Sequence, residues 1–271
     1  MKFLSLLLVQ FMLNCAMSQV NPVGIFENHA DVGNPKKAGA VVYNKVSQTY
    51  TLSGSGYNIW FERDEFHYAC NNIKGDFVLT ANFEFIGKGT NLHRKIGWMV
   101  RESLEDNASH ISAVVHGDGL TVLQWRLLKG AFMRDPQDEI FAPKKNYQVI
   151  QLERLGNKFI FRAAQFGEPL QAIGAQDMPD MPDEILAGLF ICSHDPDVVE
   201  EARVWNVRID KPVEADYDPE KQGWIGCRLE TMNVFDGTRK VIHELKGRFE
   251  APNWMPDSKH IAFVSNSESN E

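Results

Sequence analysis

From residue 75 to residue 85 the chain reads Gly-Asp-Phe-Val-Leu-Thr-Ala-Asn-Phe-Glu-Phe, with apolar side chains at every second position. In an extended chain Phe77, Leu79, Ala81, Phe83 and Phe85 share one face, and Thr80, Asn82 and Glu84 the other. Successive strand side chains point to opposite sides of a sheet, so this pattern specifies a strand with one buried face. Shorter runs of the same kind follow at residues 96–101, 111–116, 120–127, 147–154, 159–165, 186–192 and 202–209. Turn signals separate them, among them Gly117-Asp118-Gly119 and Leu155-Gly156-Asn157. Glycine and asparagine accept the positive φ that tight hairpins demand. No stretch of a dozen residues carries a helical period. Many short strands joined by short turns predict an all-β fold over residues 22–210, a sandwich or jelly roll, with a closed barrel as the alternative.

The first residues predict a compartment. Lys2 precedes an apolar stretch over residues 3–12, and Ala16-Met17-Ser18 supplies small residues before Gln19. That order is the layout of a secretory signal peptide over residues 1–18, and it implies an extracytoplasmic protein, periplasmic or secreted. Lipidation at Cys15 is the alternative anchor, disfavoured by Asn14 before it. The formal net charge is −8 and no Lys/Arg stripe stands out, which argues against nucleic acid and anionic membranes as partners. No segment resembles a transmembrane helix. Cys70, Cys192 and Cys227 show no zinc spacing; Cys70 and Cys192 either pair or serve as small buried apolar groups.

After residue 209 the composition turns acidic and proline-punctuated, predicting a linker over residues 211–223. Strand signals resume at residues 224–236, 240–245 and 260–265. Within them, Ala251-Pro252-Asn253-Trp254-Met255-Pro256-Asp257-Ser258-Lys259-His260-Ile261-Ala262-Phe263-Val264-Ser265 resembles the repeat of TolB-like β-propellers. Met255 and Ser258 replace the family's serine and glycine. The resemblance implies a turn at Pro256-Asp257, Trp254 packed between blades, and Ile261 and Phe263 in a blade core. Residues 224–271 would supply about one blade and a first strand of the next, an incomplete propeller fragment of a longer architecture. Residues 24–209 are similar to concanavalin/laminin-G-like jelly rolls, through Gly75-Asp76-Phe77, Ile96-Gly97-Trp98-Met99-Val100-Arg101, His116-Gly117-Asp118-Gly119 and Val204-Trp205-Asn206-Val207-Arg208-Ile209. That resemblance implies a glycan-binding ancestry, and fold analogy implies nothing narrower.

Catalytic patterns are missing from the sequence. Jelly-roll glycosidases set carboxylates at alternating positions of one strand, where acid and nucleophile flank one bond. Glu62, Asp64 and Glu65 cluster, but their spacing sends them to opposite faces. There is no G-x-S-x-G, phosphate loop or dinucleotide fingerprint. Binding is the better expectation: a glycan or cell-envelope partner held by polar groups and an aromatic platform. The candidate ligand-binding residues are His67, Arg94, Arg101, His116, Asp118, Gln124 and Arg126, with His93 beside them and Trp60, Trp98 or Trp125 as platform. The only cofactor considered is a structural calcium ion at Glu27, Asp195 and Asp197, weakened by Asn206 where related folds carry aspartate. The sequence reading is therefore a non-catalytic binding module. A cell-envelope interaction scaffold and a divergent glycoside hydrolase are the alternatives.

Overall fold

The computed structural model describes residues 21–213, 216–223 and 226–267. The proposed leader, Cys15, the start of the strand predicted at residue 224 and the last four residues lie outside the described residues. In chain order the strands are β1 (Asn28–Val32), β2 (Ala40–Asn44), β3 (Thr49–Gly56), β4 (Ile59–Trp60), β5 (Arg63–Asp64), β6 (Phe66–Lys74), β7 (Phe77–Ile86) and β8 (Lys95–Arg101). Next come β9 (His110–His116), β10 (Thr121–Arg126), β11 (Glu139–Phe141), β12 (Val149–Leu155), β13 (Lys158–Ala164), β14 (Gln171–Asp177), β15 (Glu184–Cys192) and β16 (Asp195–Asp210). One helical turn, α1 (Pro219–Gln222), lies inside the predicted linker. It leads to β17 (Cys227–Met232), β18 (Arg239–Leu245), β19 (Gly247–Trp254) and β20 (Ile261–Ser267).

Two seven-stranded antiparallel sheets form a jelly-roll sandwich. The first sheet runs β1-β6-β15-β8-β9-β10-β11 and the second β14-β13-β12-β7-β16-β3-β2. Both sheets end in edge strands, so the barrel alternative is not realised: a barrel would have joined them. The late strands β15 and β16 insert into the middle of their sheets, between β6 and β8 and between β7 and β3. The alternation read from residues 75–85 is β7, whose Phe77, Leu79 and Ala81 are fully buried and whose Phe83 is nearly so. Its inner face meets Ile96, Trp98 and Val100 of β8 in one core. Phe83 meets Trp98 edge-on, ring centroids 6.2 Å apart. Trp98 and Trp125 belong to this core and are no platform for a ligand.

The C-terminal residues form two hairpins, β17–β18 and β19–β20. Phe249 and Phe263 pack edge-on at 4.8 Å, with His243 beside them. The turn after Trp254 forms as the resemblance implies: Asp257 Oδ1 accepts the amides of Lys259 (2.9 Å) and His260 (3.1 Å). Ser258, standing where the repeat has glycine, holds φ +55°. Trp254, however, is 61% exposed rather than packed between blades, because no strand pair lies against its outer side among the described residues.

Candidate functional site

The outer side of the first sheet carries most of the predicted site residues. Period-two alternation sends Lys95, Met99 and Arg101 of β8, His110, Ser112 and His116 of β9, and Gln124 and Arg126 of β10 outward, away from the main core. Cross-strand pairing aligns Arg101, His110 and Arg126 in one row. Four of the predicted ligand residues, Arg101, His116, Gln124 and Arg126, thus lie on this face, and Arg101, Gln124 and Arg126 converge at one end of it. All three are almost completely buried.

The chain itself covers them. The β4–β5 hairpin folds down so that Ile59 joins Phe66, Tyr68, Met99, Val114, Val122 and Phe190 in a second apolar cluster. Asp64 follows it inward and receives a two-pronged contact from Arg126, at 2.7 and 2.8 Å, with Arg101 at 3.5 Å. The side chains of all three are 0% exposed. Other guanidinium donors go to carbonyls, Arg126 to Ala131, Ala108 and Phe61 and Arg101 to Ser103 and Glu105, and Arg101 also reaches the Met99 Sδ at 3.3 Å. Gln124 donates to the Ile59 carbonyl at 3.1 Å. Burial raises the Asp64 carboxyl above its ordinary value, while the hydrogen bond from Arg126 and the charge of Arg101 work against that rise. His110 lies 4.0 Å from Asp64 with neither ring nitrogen hydrogen-bonded. Burial, Arg126 and Arg101 hold it well below its usual value, so it is neutral. The residues read as ligand contacts are the lock of an internal plug.

The other end of this face carries Lys95 and His116, which are cross-strand partners. Lys95 is buried and donates to Asn58 Oδ1 at 2.6 Å; desolvation lowers its amine to about 8. His116 is pushed down to about 3, mainly by burial and then by Lys95. Its ring meets His93 edge-on at 5.9 Å, and His93 meets His194 at 5.4 Å.

The other sequence candidates are scattered. His67 is buried between Asp31 (2.6 Å) and His29 (3.1 Å) near the edge of the first sheet. Arg94 pairs with Glu200 at 2.5 Å and lies over the Phe85 ring, a structural clamp rather than a ligand contact. Asp118 shapes the β9–β10 turn by accepting the Leu120 amide at 3.0 Å, and it pairs with Lys145. The expected calcium set does not assemble. Glu27 accepts the Asn72 amide, whereas Asp195 lies opposite Gly56 and Asp197 pairs with Lys36. Ile191, shortly before Asp195, is opposite His67, so the two groups lie about five residues of strand apart, roughly 17 Å. Among the described residues no three His, Cys, Asp or Glu side chains stand close enough to hold a metal ion. Cys70 and Cys192 are free: Cys70 faces Gly188, four residues from Cys192 along β15.

What the sequence reading missed lies at the tip of the plug. Phe61 occupies the left-handed region at φ +58°, where bulky residues are outliers. Its carbonyl is held by Arg126 (3.3 Å) and by the Met133 amide (3.1 Å). With the backbone so pinned, the ring turns to solvent, 45% exposed, and meets the 54% exposed Phe132 at 5.4 Å. Charged residues frame the pair in sequence: Glu62 and Arg63 on one side, Lys129 and Arg134 on the other. Neither phenylalanine belongs to a periodic run, so the only sequence signal was an apolar residue inside a charged turn.

Comparison with known proteins places the fold and little more. No family model matches the chain, and no curated protein does. A functionally unknown protein from Saccharomyces cerevisiae superposes with a TM-score of 0.52 at 14% identity, over 68% of this chain and 97% of that one. That likeness shows the sandwich fold. A mutant of the GH43 protein BlXynB from Bacillus licheniformis aligns at TM-score 0.44 and 10% identity, over 61% of this chain and 33% of that one. The Ca2+/Man2-bound exoplasmic/lumenal domain of VIP36 aligns at 0.43 and 11%, over 67% and 82%.

Proposed function

We propose that this chain is a non-catalytic, extracytoplasmic glycan-binding module that grips its ligand with the Phe61–Phe132 pair. The observation that carries the reading is two exposed aromatic rings held at 5.4 Å, one of them on a strained backbone, with charged residues adjacent in sequence. Aromatic faces stack on the apolar faces of sugars, while neighbouring charged groups reach the hydroxyls. Backbone strain persists only where the surroundings over-determine it, and it concentrates at working sites. The plug supports the absence of catalysis, since a polysaccharide cannot thread a face filled by Ile59 and Asp64. Glu62 is exposed, Asp64 is locked and Glu65 pairs with Arg63, so these carboxylates do not flank a common cleft. A glycan array probed with the purified chain tests the reading. Binding to at least one polysaccharide, without release of reducing sugar, is expected; an empty array would overturn it.

A second reading concerns the C-terminal hairpins. As TolB-like blades they would serve a cell-envelope interaction scaffold, and the exposed Trp254 and Val264 favour this. Pull-downs from envelope extract that return the same partners after removal of residues 247–267 would count against it.

A further inference from the structure

Three segments of chain meet where Phe61 and Phe132 stand. The Asp64 amide donates to the Asp106 carbonyl (2.7 Å), the Gly130 amide to the Asn107 carbonyl (2.8 Å) and the Met133 amide to the Phe61 carbonyl (3.1 Å). Residues 57–65, 101–109 and 126–138 are thereby joined into one surface that bears both rings. Together they carry five cationic side chains and eight carboxylates, a surplus of three negative charges. Lys95 of β8, buried and faced by Glu139 of β11, offsets one unit of that surplus at most.

The five cations are all engaged. Arg101 and Arg126 are enclosed with Asp64 under the plug. Arg63 pairs with Glu65 at 2.8 Å and lies over the Tyr57 ring at 4.4 Å, turned away from Phe61. Lys129 pairs with Glu105, and Arg134 grips Asp138 through contacts of 2.9 and 3.1 Å. Glu62, Glu102 and Asp135 are exposed, and none of them is in an ion pair among the described residues. Asp135 meets the Glu139 carboxyl instead of a cation. Among the described residues no guanidinium or ammonium lies over Phe61 or Phe132.

Both findings select for the same ligand charge. An aromatic face is electron-rich and attracts a cation held within about 6 Å of the ring centre. Unpaired carboxylates attract that charge too, and they repel an anionic sugar. Stacking alone accepts any pyranose with an apolar face, so the sign of the surrounding charge is what discriminates.

Resting on the reading of Phe61 and Phe132 as a glycan platform, we propose that its ligand class is a cationic amino sugar, an oligomer of glucosamine with free amines, and that acidic polysaccharides are turned away. The pyranose faces would stack on the two rings. The ammonium groups would be drawn to Glu62, next to Phe61 in the chain, to Asp135, three residues after Phe132, and to Glu102.

The test is calorimetric titration of the full chain, at about pH 6 and low ionic strength, with three tetramers: tetraglucosamine, its N-acetylated form and tetragalacturonate. These are cationic, neutral and anionic. Tetraglucosamine is expected to bind about tenfold more tightly than the acetylated tetramer, the combined effect of several modest exposed contacts. Tetragalacturonate is expected not to bind. Salt at about 0.5 M should shrink the preference, because exposed charges are screened. Glu62→Gln with Glu102→Gln, both at exposed positions, should weaken tetraglucosamine binding about fivefold. Equal affinity for the cationic and neutral tetramers, or binding of tetragalacturonate, would overturn the amino-sugar assignment and leave the platform standing. Tetraglucosamine affinity unchanged in the Phe61→Ala, Phe132→Ala double variant would assign the attraction to diffuse surface charge and also overturn it. Failure of all three tetramers would overturn the assignment as well, and the glycan array then decides separately whether the platform reading falls with it.

Discussion

Removing the carboxylate at position 64 is the sharpest perturbation of the plug. Asp64 accepts two hydrogen bonds from Arg126 and stands 3.5 Å from Arg101, with all three side chains fully enclosed. Asp64→Ala would strand two guanidiniums beside the neutral ring of His110. Breaking a buried pair from one side costs about 3–5 kcal/mol, because the partner is left charged and uncompensated. At about 2–4 °C per kcal/mol for a chain of this size, the unfolding midpoint should fall by about 6–20 °C. Near-ultraviolet dichroism with tryptophan fluorescence would follow it, heat and urea giving independent values. The apolar triple variant Asp64→Leu, Arg101→Met, Arg126→Met should recover most of the loss, since it desolvates no ion. A loss in Asp64→Ala no greater than about 1 kcal/mol, the size of a surface pair, would refute the reasoning. The damaged variant should also bind its ligand more weakly, because Arg126, which anchors the Phe61 carbonyl, is no longer fixed by Asp64.

Three further outcomes follow from particular residues. Phe61→Asn should stabilise the fold by about 1 kcal/mol, asparagine being at ease at positive φ, while abolishing glycan binding; a stable variant that still binds would remove Phe61 from the site. His116 has a folded value of about 3 against 6.5 when unfolded, so its contribution is complete above pH 6.5 and erodes as pH falls towards 3. Each such histidine steepens the fall by about 1.4 kcal/mol per pH unit, and His116→Gln should flatten the melting-temperature profile over that window; an unchanged slope would contradict its burial. Burial pushes the Cys70 and Cys192 thiols up to about 12 and 11, so an aromatic disulfide reagent should label the half-exposed Cys227 but neither Cys70 nor Cys192 in the native chain. Rapid labelling of Cys70 or Cys192 would show that the outer face opens.

The sandwich was legible because its information is local. Period-two runs such as residues 77–85 state which side of a strand is buried, and the glycine turns at 117–119 and 156 state where it reverses. Even the shared face of Gln124 and Arg126 could be read, since they alternate with Leu123, Trp125 and Leu127; that Arg101 joins them depends on strand pairing. Their meaning could not. A polar face on a strand looks the same in a sequence whether solvent, sugar or Asp64 lies over it. What decides is a non-local event, the descent of β4–β5 onto strands far along the chain. The calcium set failed for a related reason. Glu27, Asp195 and Asp197 were joined by likeness to other folds, whereas the register of β6 with β15 sets them at opposite ends. Phe61 and Phe132, in turn, sit in turns where no period marks them.

The hairpins show the same division. The turn chemistry of Asp257 is local and formed as expected, but packing of Trp254 depends on a neighbour, and the side chain stands in solvent. The docking of β17–β18 through Gln48 and Asn206 could not be anticipated, because both residues carry ordinary strand or turn signals in sequence.

The central claim is that this chain binds sugar on the plug that closes its first sheet, not in a groove beneath it. Titration of the chain and of its Phe61→Ala, Phe132→Ala double variant against a polysaccharide captured on the array tests this most directly. Both residues are exposed, so the double variant should melt within about 1 kcal/mol of the parent and bind at least about tenfold more weakly. Undiminished affinity in a folded double variant would contradict the account.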